Sequence, residues 1–178
     1  YVDRNEDTWM NEGLSELAVL LNGYELGGFD YIYALDPDQT LTKWPSEPGT
    51  ADAHYGQAFL FMAYFLDRFG QEATRALVAN PADGMDSIDE TLASLGITDP
   101  QTGEAMGADA LFRDWAVAML LQDDSVGDGR YAFHSYAYAP NLQVTEEFSD
   151  CPVRPQSRLV SQYGVDAIRF TCPGEHTL

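Results

Sequence analysis

Positive charge is almost missing from this sequence. Lys43 is the only lysine, and nine Lys and Arg together face 29 Asp and Glu, for a net charge of -20. Such a surface repels a nucleic-acid backbone, so no nucleic-acid partner is expected. An anionic membrane surface is disfavoured for the same reason. Long hydrophobic runs are missing too. The longest, near Phe59 to Phe65, is far short of the ~20 residues that span a bilayer, so no membrane insertion is expected. Cysteine is scarce: Cys151 and Cys172 are the whole supply. Neither sits in a CxxC pair and no histidine pattern accompanies them, which argues against thiolate zinc binding. Their polar, loop-rich setting favours a disulfide over two free thiols, and with it an extracellular or cell-surface location. Histidine is equally scarce. His54, His134 and His176 are the only ones, and no two are four apart.

What is present is an ordinary globular composition. The chain has 178 residues, 45% of them apolar and 12% aromatic. That is one domain, or one lobe plus the start of another, and it is long enough to build a core without a staple. Apolar residues at spacings of three and four (Met10, Leu14, Leu17, Ala18, Leu21) predict a helix over 8–22, with Asp7 or Thr8 as N-cap and Asn22-Gly23 as stop. Residues 24–53 read as a long loop, punctuated by Gly27-Gly28, Pro37, Pro45 and Pro48 and anchored by interleaved aromatics. Residues 53–69 read as a central helix, apolar nearly all round, ended by Gly70. A shorter helix follows over 71–79. Ser87-Ile88-Asp89-Glu90 reads as a capping box opening a helix to Leu95. Residues 108–122 form the last predicted helix. Past Asp123 the helical period stops, and Val165 to Thr171 reads as a strand. The fold expectation is mainly α: a helical lobe over 1–135, then an extended, β-prone tail over 136–178 that starts a β-rich module.

The segment with chemistry is Trp9-Met10-Asn11-Glu12-Gly13-Leu14-Ser15-Glu16. Glu12 and Glu16 are four apart on a predicted helix, so they project from one face, one turn apart. Helix arithmetic alone favours a solvated acidic stripe. The residues also resemble the W-x-N-E-G-x-A/S signature of gluzincin zinc metallopeptidases, of the aminopeptidase N-like, thermolysin-like and immune-inhibitor-A-like kinds. The resemblance implies that Glu12 is a zinc ligand completing a set begun by two histidines of an HExxH helix. It implies that Glu16 hydrogen-bonds a ligand histidine, and Asn11 can hydrogen-bond across the cleft. Gly13 would let this helix lie close to its neighbour. His54-Tyr55-Gly56-Gln57-Ala58-Phe59-Leu60 is similar to the Y-x-x-G-x-x-x-L helix start of the aminopeptidase N-like enzymes. It departs from them in its glycine position and lacks the usual basic residue. By that likeness Tyr55, with His54 as runner-up, hydrogen-bonds the oxyanion of the reaction. The plain alternative is that both cap a buried helix. Phe112 to Ala118 and Val126 to Tyr131 are similar to the immune-inhibitor-A-like group.

The departure that matters is the missing HExxH. The resemblance puts that helix upstream of Glu12. The opening Tyr1-Val2-Asp3-Arg4 carries no initiator Met, so a longer parent holding HExxH is expected rather than a lineage that has lost it, and this chain alone should be inert. The functional expectation is part of a secreted zinc peptidase that acts on peptide or protein substrates. The alternative is a non-catalytic helical binding module whose contact surface is the tyrosine-rich stretch between Tyr24 and Trp44. In the run Asp123 to Gly129, Val126 takes a calcium-loop ligand position and cannot ligate by its side chain, so a turn is the better reading than a calcium site built on backbone oxygens.

Overall fold

The computed structural model describes residues 5–47 and 49–172, so Tyr1–Arg4, Pro48 and His176 lie outside it. The chain is mainly helical. Its elements are α1 (Thr8–Leu21), α2 (Phe29–Leu35), α3 (Asp52–Val78), α4 (Gly84–Ser94), α5 (Ala108–Leu121), β1 (Glu146–Phe148) and β2 (Ile168–Phe170).

The apolar run of residues 53–69 becomes the centre of the molecule. Every residue from Gly56 to Leu66 is buried, and α1, α2, α4 and α5 all pack on α3. A helix apolar all round has no solvent face to offer, so neighbours must cover it from several sides. Two glycines set how close they come. A Cβ on Gly13 would stand 2.6 Å from the Ala58 carbonyl oxygen of α3, and a Cβ on Gly56 would overlap the Phe29 carbonyl at the start of α2. The close approach expected at Gly13 is thus present, and Gly56 repeats it on α2. Gly70 breaks α3 in the left-handed region (φ 78°), which separates the two helices predicted on either side of it.

Three local expectations are corrected. The stretch 24–53 is not all loop, because Phe29–Leu35 is helical. Seven residues make a marginal helix alone, so its stability comes from packing on α3. Ser87 does not cap α4. It is buried inside a helix that begins at Gly84, where its hydroxyl donates to the Gly84 carbonyl at 2.8 Å. The Gly84 amide donates instead to Glu6, ahead of α1, at 2.8 Å. The strand read over Val165 to Thr171 is only Ile168–Phe170, paired in parallel with Glu146–Phe148. Val165 and Ala167 enter the helical core instead.

The segment beyond residue 135 shares the core of the helical lobe. Tyr136, Leu142, Val165 and Ala167 are buried with the helices. The Gln143 amide donates to the Ala34 carbonyl at 2.7 Å and the Val165 amide to that of Pro37 at 3.2 Å. Gln57, fully buried on α3, donates to the carbonyls of Gln39 and Tyr163 at 3.0 and 2.8 Å.

The two cysteines are bridged, with a Cα–Cα separation of 5.8 Å. The bridge ties the ends of β1 and β2, where Phe148 and Phe170 stack at 5.5 Å. Closing a loop of 21 residues in sequence restricts the unfolded chain by about 3 kcal/mol. Thiol counting under denaturing, non-reducing conditions should therefore find none free. Reduction should expose the amides of 146–172 to hydrogen exchange while α1 to α5 keep their helical signal. Two free thiols in protein from an oxidising compartment would reject the bridge.

Candidate functional site

The side chains at the head of α1 are sorted by its burial. Trp9, Met10, Gly13 and Leu17 turn into the core, and Glu12 and Glu16 flank that face half-buried. The N-cap is Asp7, but its carboxylate accepts from Trp9 Nε1 at 3.3 Å rather than capping α1. The ion pairs among the described residues belong to Arg68, Arg130, Arg158 and Arg169, so neither Glu12 nor Glu16 has a cationic partner there. Burial, and then the Glu12 charge, push the Glu16 carboxyl above its ordinary range. Loss of water and a like charge nearby both disfavour the ionised carboxylate.

Tyr55, near the start of α3, comes to the same place. Burial, and then the charges of Glu12, Glu16 and Asp52, raise its hydroxyl above the ordinary tyrosine value. The phenol therefore keeps its proton at neutral pH and can donate it in a hydrogen bond. Its ring is clamped between Phe29, stacked at 5.3 Å, and the edge of Trp44 at 4.9 Å. Position on α3 separates His54 from this group, because successive side chains leave a helix about 100° apart. His54 opens onto a hollow with Thr40, Lys43, Trp44, Glu47 and Thr50. Burial lowers its pKa, opposed by the nearby Thr40 backbone, and Nδ1 is buried without a hydrogen bond of ordinary geometry. Asn11 is exposed on the first turns of α1, its carbonyl accepting from Ser15 at 2.8 Å.

No family model and no curated protein sequence matches this chain. Glu12, Glu16 and Tyr55 form a patch with two unpaired carboxylates and a protonated phenol. It can attract a cation and donate one hydrogen bond. Among the described residues no three His, Cys, Asp or Glu side chains converge to hold a metal.

Two features escaped the sequence. Arg130 is 2% exposed and grips three carboxylates, Asp128 at 2.8 Å, Asp114 at 3.0 Å and Asp99 at 3.2 Å. Within the Asp123 to Gly129 run, Asp128 accepts from Arg130 at 2.8 Å and Asp123 from the Ser125 hydroxyl at 2.6 Å. The second is Asp30, 2% exposed, whose carboxylate accepts from the Tyr136 hydroxyl at 2.6 Å. An isolated Asp between aromatics, inside a stretch read as loop, was the only signal of it.

Proposed function

We propose that this chain is the glutamate-bearing lobe of a secreted zinc metallopeptidase of the gluzincin kind. What supports the reading is that Glu12, Glu16 and Tyr55, picked from two separate motifs, lie on the packed helices α1 and α3, near enough for both carboxylates to raise the Tyr55 hydroxyl. Glu12 offers one donor to the metal. Glu16, one turn on, is positioned to orient a histidine supplied by the upstream HExxH segment of the same protein. Tyr55 keeps a proton for the substrate oxygen. Zinc, when bound, activates water for hydrolysis of a peptide bond. One carboxylate donor does not make a zinc site, so the isolated chain is expected to be inert. The Cys151–Cys172 bridge supports an extracellular setting. No helix among the described residues is long and apolar enough to cross a membrane.

A second reading, a non-catalytic binding module, draws support from the exposed Tyr24 and Tyr31. The full-length parent separates the two. Purified parent should carry one zinc per chain by elemental analysis and should hydrolyse casein. Treatment with 1,10-phenanthroline should abolish that activity, and added zinc should restore it. A parent with neither zinc nor hydrolysis overturns the peptidase reading and leaves the module.

A further inference from the structure

We propose that a tyrosine-walled cleft between the end of α1, the start of α2 and residues 136–138 binds an organic cation, best the arginine side chain of a peptide. The cleft holds about 470 Å³ and is lined by Tyr24, Glu25, Asp30, Tyr31, Tyr136 and Tyr138, with Leu20 and Leu26 beside them. No basic residue lines it. It uses none of the residues assigned to zinc, so it goes beyond the peptidase reading and does not depend on it.

The floor asks for a positive charge. Asp30 is 2% exposed, and the only hydrogen bond to its carboxylate among the described residues comes from Tyr136 to Oδ2. No hydrogen bond reaches Oδ1 from the described residues, and Asp30 is one of the residues that line the cleft. A carboxylate this buried is costly unless a cation or further donors meet it. None of the ion pairs among the described residues reaches Asp30. The walls suit the same guest. Tyr24, Tyr31 and Tyr138 are 72%, 54% and 76% exposed. Large aromatic rings left this open around one carboxylate offer faces that attract a cation. The Tyr31 hydroxyl donates to the Tyr138 carbonyl at 3.4 Å, so the two walls are tied together.

A guanidinium fits better than an ammonium. Its plane stacks on tyrosine faces while its fork reaches a carboxylate, and its apolar stem lies against Leu20 and Leu26. Glu25 at the rim adds charge of the attracting sign. Leu20 also follows Glu16 by one turn of α1, about 6 Å of rise. A bound peptide could therefore pass the Glu12–Glu16 patch.

The test titrates this chain with N-acetyl-arginine amide and with its neutral isostere N-acetyl-citrulline amide, by NMR at 0.15 M salt. The arginine compound should shift the amides of residues 24–31 and 136–138 and bind ~10-fold more tightly than the citrulline compound. Asp30→Asn keeps an acceptor for Tyr136 and should weaken arginine binding ~10-fold without changing citrulline binding. Tyr138→Leu, at an exposed position that leaves the core untouched, should weaken it several-fold. Glu72→Gln removes the same charge from a distant exposed site and should change nothing. Equal binding of the two compounds overturns the proposal. So does arginine binding that Tyr138→Leu leaves intact, or that Glu72→Gln weakens as much as Asp30→Asn.

Discussion

In the intact parent, Glu12→Gln is expected to remove nearly all zinc and nearly all peptidase activity. A neutral amide is a poor zinc ligand, and the exchange also deletes a charge that balances the metal. Glu16→Gln should be milder, costing about 10–100-fold in affinity or activity, because it acts through a histidine rather than on the metal. The order of the two effects carries the information. Glu12 and Glu16 stand one turn apart on α1, so any account based on acidity alone treats them alike. A solvated acidic stripe gives two near-silent variants, each within about 0.5 kcal/mol of wild type in stability. Both variants should stay folded, since Gln and Glu have similar helix propensity. Metal content and hydrolysis should be measured on purified, folded full-length protein. Full zinc and full activity in Glu12→Gln would defeat the peptidase reading at its central residue.

Arg130→Met should cost the fold on the order of 3–5 kcal/mol at neutral pH. The guanidinium is buried and holds Asp99, Asp114 and Asp128 together. Its own backbone carbonyl accepts from the buried Tyr64 hydroxyl at 2.6 Å, which ties the cluster to α3. Methionine fills much of the volume but leaves three carboxylates facing one another. Arg68, at 3.9 Å from Asp114 and Asp128, is too far away to replace the lost hydrogen bonds. Arg130→Lys should fall between wild type and Met, because one ammonium cannot fork across three acids.

The same cluster fixes a pH signature. Hydrogen bonds from Arg130 hold Asp99 down at about 2, below its ordinary 3.8. A depressed acid contributes stability that is present above its unfolded value and is lost as pH falls through the folded one. The Asp99 contribution is therefore full above about pH 4 and fades toward pH 2. Asp114 moves the other way, raised by burial in spite of Arg130. It is the more desolvated of the two, so its charge is a cost that protonation relieves. Urea unfolding from pH 7 down to pH 2 should show wild type losing stability between pH 4 and 2. Arg130→Met should lack the Asp99 part of that loss. A loss under 1 kcal/mol at pH 7 would show that the cluster is only a solvated surface feature.

The sequence by itself determined the helices whose pattern is strong. The spacing of Met10, Leu14 and Leu17 gives α1, and the apolar run around Phe59 to Phe65 gives the buried α3. Gly70 gives the break after it. These are local signals, because the 3.6-residue period and the left-handed preference of glycine act within a few residues. The cysteine pair was legible from composition and setting. The grouping of Glu12 with Glu16 followed from helix spacing, whereas Tyr55 was brought in only by motif resemblance. Tertiary structure alone decided the rest. It made Phe29–Leu35 a helix by packing it on Gly56. It buried Ser87 where a cap was expected and drew Val165 and Ala167 out of a strand into the core. It brought Tyr55 to the two glutamates and turned His54 away from them. It joined Asp30 to Tyr136 and Arg130 to Asp99. Each of these depends on partners far apart in the chain, and on burial and electrostatic fields that exist only after the helices have closed around α3.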